Sequence, residues 1–309
     1  ACFILRFCFT KIKFTIKLTM MKAKDTKKKK NIFVRFFCAI GRGINYFFCL
    51  LFFGIVVLFA KIFLRCKVYG KENVKKDDEA RVFIFNHYEL YGPVAMYIRF
   101  PYKNRPWIID KMMYPEFIEK QMSLMIMNNY KKVPKWLKRF VILCIKNLVV
   151  FVMNFVGGIP VSRENFRDNL KTMKISTETL EKGKSLAIFP EKLYVREGVG
   201  EFQSGFEHIA KYYYQKTGKR ISFYPVFVSK INKAMYVEKP IIFNPENDTN
   251  SEKEKIVNYL RDSMIALYQT KEVQGKKYQK LKEKERKREE KLKKKEEKNR
   301  DKKNKNAKI

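Results

Sequence analysis

The chain has 309 residues, of which 46% are hydrophobic and 15% aromatic, and its formal net charge is +36. This length suffices for one domain of ordinary size with appendages, and the charge predicts a polyanionic partner, either a nucleic acid or an anionic membrane face. The six cysteines include no Cys-x-x-Cys pair, which argues against a zinc site or a disulfide framework and favours a catalytic domain that faces a reducing cytoplasm.

The first 30 residues form a basic N-terminal extension with no predicted role in the fold. The sequence begins with Ala1, and Met20 and Met21 stand just before a Lys-rich stretch. We interpret one of these methionines as the natural start, so that residues 1–19 are upstream translation or a truncated extension. Basic residues interrupt the apolar positions before Met20, a pattern unlike that of a signal peptide.

An apolar run extends from Ile44 to Ala60 with Asn45 as its one polar residue. With its apolar continuation it reaches about 20 residues, enough to cross the hydrocarbon core of a bilayer. It predicts a membrane anchor over residues 31–66, the alternatives being a buried core helix or a helix in the membrane interface. Because basic residues flank the run on both sides, the positive-inside rule gives no orientation.

Residues 67–270 show strand-like and helix-like patterns in alternation. The predicted strands cover residues 81–85, 106–109, 185–189 and 221–227, with another within 234–242. The predicted helices cover residues 93–100, 164–182, 205–217 and 251–269, and the apolar stretch 140–156 predicts an interfacial or core helix. Strands separated by helices indicate an α/β domain with a mostly parallel central sheet flanked by helices. In such sheets, chemistry is expected at the carboxyl ends of the strands.

Residues 271–309 contain 19 Lys or Arg and 8 Asp or Glu, with almost no apolar side chains. A segment of this composition cannot form a core. It predicts a charged C-terminal tail, either a solvated helix or a disordered segment. Such a tail serves solubility alone or makes a weak contact with a membrane surface or RNA.

The two histidines of the chain have different surroundings. His208 lies within a predicted helix, which favours a structural or surface role. His87 follows the predicted strand 81–85 almost directly, and Pro93, which suits the first turn of a helix, comes soon after it. An imidazole at the carboxyl end of a strand, with an ordinary pKa near working pH, is a candidate general base.

Four blocks, in this order, resemble those of the glycerolipid acyltransferase family typified by 1-acyl-glycerol-3-phosphate acyltransferase. Asn86-His87 is similar to the start of the family's Asn-His-x4-Asp block, and Gly158 to Arg163 is similar to its glycine-to-arginine block. Phe189-Pro190-Glu191 resembles the opening of the Phe-Pro-Glu-Gly-Thr-Arg block, and Tyr224-Pro225-Val226 resembles the final apolar-Pro block. The resemblance covers residues 44–245.

The resemblance implies an enzyme in which His87 removes a proton from an acceptor hydroxyl that attacks an acyl thioester. Arg163 and Glu191 are implied to bind the substrate, since the family's later blocks hold the polar head of the acceptor. Asn86, beside the histidine in the first block, is implied to bind the substrate as well. The implied activity is that of a membrane-bound O-acyltransferase of phospholipid biosynthesis. It uses acyl-CoA or an acidic acyl-carrier protein as donor and a lysophospholipid such as 1-acyl-glycerol-3-phosphate as acceptor, without a cofactor or metal.

The sequence departs from the family in the first and third blocks. Gly92 stands where the Asp that orients the histidine is expected, and Glu89 is the candidate to orient His87 in its place. The family's Gly-Thr-Arg positions hold other residues, so Lys192 or Arg196 is the candidate replacement for the phosphate-binding arginine. These losses keep a second hypothesis open, a catalytically impaired lipid-binding pseudoenzyme of the same fold. A carboxylate within reach of the His87 ring would discriminate the two.

The expected partners follow from this hypothesis. They are membrane lipids and the donor thioester, and the expected location is the cell membrane with the catalytic domain on the cytoplasmic face. No recognisable nucleic-acid-binding module accompanies the charge, so a nucleic acid is not expected as a partner.

Overall fold

The computed structural model describes residues 47, 50, 51, 53–75, 80–129, 133–162, 166–192 and 197–306. The chain divides into two compact units, residues 1–51 and 52–309. Of the first unit only residues 47, 50 and 51 are described, and each is helical. The second unit contains the sheet and the helices that pack on it. The predicted extension over residues 1–30 lies outside the described residues.

A mostly parallel sheet forms the centre of the second unit. Its described strands are β1 (Lys67–Tyr69), β2 (Arg81–Phe85), β3 (Asn104–Ile109), β4 (Ile159–Val161), β5 (Ser185–Ile188), β6 (Ser222–Ser229), β7 (Ala234–Val237) and β8 (Ile241–Ile242). The order is β1-β7-β6-β2-β5-β3-β4, with β8 also paired to β6. Strand β6 pairs antiparallel with β7 and β8, and the other pairings among the described strands are parallel.

Helices connect and cover these strands. They are α1 (Tyr91–Arg99), α2 (Pro115–Asn129), α3 (Lys135–Phe155), α4 (Phe166–Glu181), α5 (His208–Thr217), α6 (Thr249–Leu267) and α7 (Lys276–Asn306). A π-helix, Tyr268–Val273, joins α6 to the segment before α7. Residues 53–63 are helical as well. The sheet with helices around it confirms the predicted α/β architecture.

The sheet buries both of its faces, because successive side chains of a strand point to opposite sides. Val82 and Ile84 of β2 face a cluster formed with α4, α5 and α6. Phe83 and Phe85 face a second cluster formed with α1 and β6. Each fully buried side chain of this size stabilises the fold by about 1.5–3 kcal/mol relative to exposure. The carboxyl end of β2 is therefore held firmly from both sides.

Proline in the middle of β6 fits because this strand changes partner there. Residues 222 and 223 pair with β8, and residues 226–229 pair with β7. Pro225 lies between these two segments, and its carbonyl accepts a hydrogen bond from Glu238 N–H over 3.0 Å. Its missing N–H thus falls at the break in pairing, which is where a strand interior tolerates proline.

Within the described ranges, no helix has both the length and the apolar character that crossing a membrane requires. The predicted anchor over residues 31–66 begins in residues that are not described, so the anchor stays a prediction. In its described part, Phe53 packs edge-on against Phe151 and Phe155 of α3, whereas Phe63 is 73% exposed. The stretch predicted as an interfacial or core helix belongs to α3, and Ile142 within it is buried.

The charged C-terminal segment forms α7, which is a solvated helix over its described length. This is one of the two expected alternatives. The start of this segment differs from the expectation. Glu272 lies in the π-helix and is fully buried. The predicted boundary between residues 270 and 271 therefore falls inside a packed element.

Candidate active site

His87 lies in a tight turn between β2 and α1. Tyr88 and Glu89, the next two residues, have φ angles of 41° and 57°, in the left-handed region. The turn is closed by two backbone hydrogen bonds, from Tyr91 N–H to Tyr88 O over 3.2 Å and from Gly92 N–H to His87 O over 3.1 Å. Left-handed conformations cost non-glycine residues about 1–2 kcal/mol each. Such backbone persists only where the surroundings enforce it, and it clusters at functional sites.

The His87 ring meets a backbone carbonyl. Its Nδ1 atom is hydrogen bonded to the carbonyl oxygen of Glu89. A carbonyl can only accept a hydrogen bond, so Nδ1 carries the proton of the neutral ring and Nε2 carries the lone pair. Burial lowers the pKa of His87 from its ordinary value of 6.5. The ring is therefore neutral at pH 7, in the tautomer that a base acting through Nε2 needs.

The Glu89 carboxylate, predicted to orient His87, lies beside another residue. Its Oε2 is 3.9 Å from Nζ of Lys230, and its side chain is 45% exposed. The backbone carbonyl of Glu89 accepts a hydrogen bond from Nδ1 of His87. The left-handed conformation of Glu89 turns this carbonyl toward the ring. Glu89 thus contacts His87 through its backbone carbonyl, an atom that the sequence did not indicate.

Gly92 occupies the family's Asp position because the turn leaves no room for a side chain there. A Cβ atom at this position would lie 2.4 Å from the carbonyl oxygen of His87 and 2.7 Å from that of Asn86. Contacts this short with backbone atoms require the turn itself to move. The same turn therefore excludes an Asp side chain at position 92 and brings the Glu89 carbonyl to the His87 ring.

Glu191 supports the backbone of His87. Its Oε2 accepts a hydrogen bond from His87 N–H over 2.7 Å, and its Oε1 accepts one from Gly200 N–H over 2.9 Å. The side chain is 5% exposed, and this burial raises the pKa of Glu191 although the two N–H groups act in the opposite direction. Glu191 follows β5, whose parallel pairing with β2 brings the two strand ends together.

Asn86 ties the same turn to β6. Its Nδ2 donates to Val228 O over 3.1 Å, and its Oδ1 accepts from Val228 N–H over 2.6 Å. The side chain is fully buried. The side-chain amide of Asn86 makes the two hydrogen bonds that a backbone N–H and C=O would make in a strand pair. Asparagine suits this position because its amide has both a donor and an acceptor group. Asn86 and Glu191 therefore hold the backbone on which His87 is mounted.

The predicted phosphate-binding residues are only partly described. Lys192 is close to Glu191 in sequence, and its Nζ lies 3.1 Å from Oε2 of Glu201 in an exposed ion pair. Arg163 and Arg196 lie outside the described residues. The structure thus brings Asn86, His87, Glu89 and Glu191 together, while Lys192 pairs with an acidic neighbour.

A cavity of about 470 Å³ opens at the carboxyl ends of β3, β4 and β5. Its lining mixes apolar residues, among them Trp107, Ile109, Met173 and Phe206, with polar ones, among them Ser162, Gln203, His208 and Lys211. Phe189 lines this cavity, and its ring centroid is 5.3 Å from that of His87. The cavity therefore adjoins the His87 turn. Among the described residues, no group of three or more His, Cys, Asp or Glu side chains is arranged to hold a metal ion.

Several cavity residues were not anticipated from the sequence. His208, at the start of α5, was expected to be structural or exposed; it is exposed, and it also lines the cavity together with Lys211. The helical pattern of this segment gave no sign of which face would border an open space. Phe189 could have been found, since it opens the Phe-Pro-Glu block.

An α/β sheet with a half-buried, oriented histidine at the end of a central strand defines a candidate acid–base enzyme. The family model described as Acyltransferase matches residues 65–229, which include the His87 turn and Glu191. The match covers more than half of the chain, so the chain belongs to the acyltransferase family. The enzyme class predicted from the motif blocks, an O-acyltransferase, is confirmed at this level.

A solved structure is also similar to this chain. The 1-acyl-sn-glycerophosphate (LPA) acyltransferase PlsC from Thermotoga maritima is 14% identical to it, with a TM-score of 0.39. The similarity covers 73% of this chain and 94% of that one. No curated protein sequence matches the chain.

Proposed function

We propose that this acyltransferase moves a fatty acyl group from acyl-CoA or an acyl-carrier protein to the hydroxyl of a lysophospholipid such as 1-acyl-glycerol-3-phosphate. The reaction belongs to phospholipid biosynthesis and takes place at the cytoplasmic face of the cell membrane. The observation that carries the proposal is the hydrogen bond of His87 Nδ1 to the Glu89 carbonyl, beside a cavity of about 470 Å³.

The chemistry follows from the tautomer of His87. Nε2 accepts the proton of the acceptor hydroxyl as its oxygen bonds to the thioester carbonyl carbon. The tetrahedral oxyanion that forms collapses, the carbon–sulfur bond breaks, and the thiolate leaves with the proton from the imidazolium. The products are an ester and a thiol, and His87 returns to its neutral form. A positioned general base of this kind contributes about 10²- to 10⁴-fold to the rate.

The basicity of His87 depends on which group accepts the hydrogen bond from its Nδ1 atom. A carboxylate would orient the ring and also stabilise the imidazolium that forms during the reaction. The Glu89 carbonyl fixes the tautomer but brings no full negative charge. Burial of His87 accordingly outweighs the hydrogen bond, and the pKa of His87 is lowered. We expect a working base that is weaker than one paired with a carboxylate.

The lining of the cavity suits an amphipathic substrate. Apolar side chains such as Met173 and Phe206 would contact the acyl chain, while Lys211 offers a positive charge for a phosphate. The Nζ atom of Lys211 donates an exposed hydrogen bond to Thr249 Oγ1 over 3.0 Å. The chain's net charge of +36 would attract both anionic lipids and an acidic carrier protein.

The direct test is an acyl-transfer assay on vesicles that contain one lysolipid acceptor at a time, with acyl-CoA or acyl-carrier protein as donor. We expect His87→Gln to lose about 10²-fold or more in turnover. Lys216→Gln, which removes an exposed ion pair on α5, is the matched control and should keep wild-type turnover. Full turnover by His87→Gln would overturn the assignment of the base. If the wild type binds these lipids but transfers no acyl group, the pseudoenzyme hypothesis replaces this one.

Attachment to the membrane is a separate part of the proposal. Helical residues 53–63 expose large apolar side chains, including Leu58, Phe59 and Phe63. Exposed apolar patches of this kind mark membrane or partner contacts. Washing membranes with high salt and then with carbonate tests the point. Retention through both washes supports insertion, and release by salt alone would show an electrostatic attachment.

A further inference from the structure

Glu272 lies outside the part of the chain that the family model matches, yet it is buried next to the His87 turn. It belongs to the π-helix Tyr268–Val273, and its side chain is fully shielded from solvent. Taking a carboxylate out of water is costly unless it is hydrogen bonded or protonated. Burial accordingly raises the pKa of Glu272. A carboxyl group held at such a cost invites a functional explanation.

Two residues contact this carboxyl group. Ser229, the last residue of β6, donates its hydroxyl to Oε2 of Glu272. The hydroxyl of Tyr88 approaches the same group. Among the described residues, Oε1 of Glu272 has no hydrogen-bond partner. Tyr88 is itself only 6% exposed, so the contact lies in the interior.

The residues immediately before and after His87 in the sequence are both connected to the region around Glu272. Asn86, before it, is bonded to both backbone groups of Val228, whose neighbour is Ser229. Tyr88, after it, has its hydroxyl near the Glu272 carboxyl group. The segment around Glu272 is fixed in turn, because Asn232 donates from its backbone to Ser229 Oγ over 3.0 Å and from Nδ2 to Lys271 O over 2.6 Å.

We infer that Glu272 is a positioning residue for His87, acting through Tyr88 and Ser229. Tyr88 and Glu89 are both left-handed, and such backbone relaxes when its supports are removed. If Tyr88 is released, the Glu89 carbonyl moves away from Nδ1, and the ring can adopt the tautomer protonated at Nε2, which free histidine prefers in water. In that tautomer Nε2 cannot take a proton.

The kinetic consequence rests on the proposed role of His87 as base. We expect Glu272→Ala to lower kcat by about 10-fold or more with little change in KM, since the acceptor still binds but the base is misaligned. Glu272→Gln keeps the size of the side chain and an oxygen that can accept from Ser229, so it should recover much of kcat. A residue with a merely structural role would not produce this split.

The tautomer of His87 can be measured without any activity. The chain has two histidines, so a His208→Gln background leaves His87 as the one source of imidazole ¹⁵N signals. We expect the wild-type turn to show a protonated Nδ1 at pH 7.5, and Glu272→Ala to shift the signals toward a protonated Nε2. Tyr88→Phe, which removes only the hydroxyl, should shift them in the same direction and serves where Glu272→Ala does not fold.

Glu252→Ala is the matched control. Glu252 is also fully buried, and it accepts hydrogen bonds from Asn244 N–H over 2.9 Å and from Asn247 Nδ2 over 2.5 Å, at the start of α6. It should lose stability like Glu272→Ala but keep the His87 tautomer. Unchanged tautomer signals in both Glu272→Ala and Tyr88→Phe would overturn the inference. An inactive wild type whose tautomer still responds to Glu272 would contradict the proposed function alone.

Discussion

The backbone N–H of His87 donates to Oε2 of Glu191 over 2.7 Å, across 104 positions of the sequence. The first and third motif blocks are thus joined by one hydrogen bond at the ends of the paired strands β2 and β5. Because the second oxygen of Glu191 accepts from Gly200 N–H, both of its oxygens serve the backbone. Glu191 therefore supports the backbone of the turn that carries the candidate base.

Removing the Glu191 carboxylate should destabilise the protein and stop the reaction. Glu191→Ala leaves His87 N–H and Gly200 N–H without their acceptor in a buried site. We expect the free energy of unfolding to fall by on the order of 3 kcal/mol, measured by urea denaturation. Glu201→Ala removes a neighbouring carboxylate that is 80% exposed, and it should change stability little. Equal stability of the two variants would contradict the supporting role of Glu191.

The raised pKa of Glu191 gives a second, independent prediction. Its pKa in the folded protein lies above the ordinary value of 4.5, so the folded state holds the proton more tightly than the unfolded state. The resulting stabilisation is present below pH 4.5 and is lost as pH rises through the folded-state pKa. Urea denaturation at pH 4 to 8 should show the wild type losing stability relative to Glu191→Gln, which cannot titrate. Parallel curves would show that the pKa is not raised.

The sequence indicated much of this site because its signals were local. Residues 82–85 of β2 form a continuous apolar run, and the position of His87 just after this strand follows from that run and from Pro93 in the first turn of α1. The order of the motif blocks indicated that Glu191 and His87 belong together. Parallel strands that end at one sheet edge made this a reasonable expectation.

Other features could not be derived from sequence patterns. Which atom of Glu89 meets His87 depends on a left-handed turn, and positive φ at Tyr88 and Glu89 is a property that their residue types rarely show. The burial of Glu272 was hidden by the charged composition of the segment that follows it. A tertiary contact with Ser229 overrides that composition, and only the fold reveals it.

The pH dependence of acyl transfer should report the burial of His87. Protonation removes the lone pair of Nε2, so kcat/KM should fall on the acid side of the profile. The pKa of His87 is lowered from 6.5, and the fall should therefore be centred below pH 6.5. Titration of the imidazole signals in a His208→Gln background would assign this pKa to His87. A fall centred above pH 6.5 would mean that a carboxylate, rather than the Glu89 carbonyl, dominates the environment of the ring.

Substitutions of Glu89 should separate its side chain from its backbone. Glu89→Gln removes a charge that is 3.9 Å from Lys230 in a half-exposed pair, and such pairs contribute little. We expect its turnover to stay within about twofold of wild type. Glu89→Pro should abolish transfer, because proline fixes φ near −65° and cannot adopt the φ of 57° that directs the carbonyl. A large loss of turnover in Glu89→Gln would instead assign the orienting role to the carboxylate.

Restoring the family's Asp at Gly92 should harm the protein. In both Gly92→Asp and Gly92→Ala the new Cβ would lie 2.4 Å from the His87 carbonyl oxygen, so the turn must open and the Glu89 carbonyl must leave Nδ1. We expect a loss of about 1–3 kcal/mol in the free energy of unfolding, as for other overpacked sites, together with loss of transfer activity. Gly54→Ala is the matched control, because Gly54 is helical with nothing within 4 Å of an added Cβ. Higher activity in Gly92→Asp than in the wild type would show that the turn can rearrange to accept a carboxylate, and that the carbonyl contact is not required for the reaction.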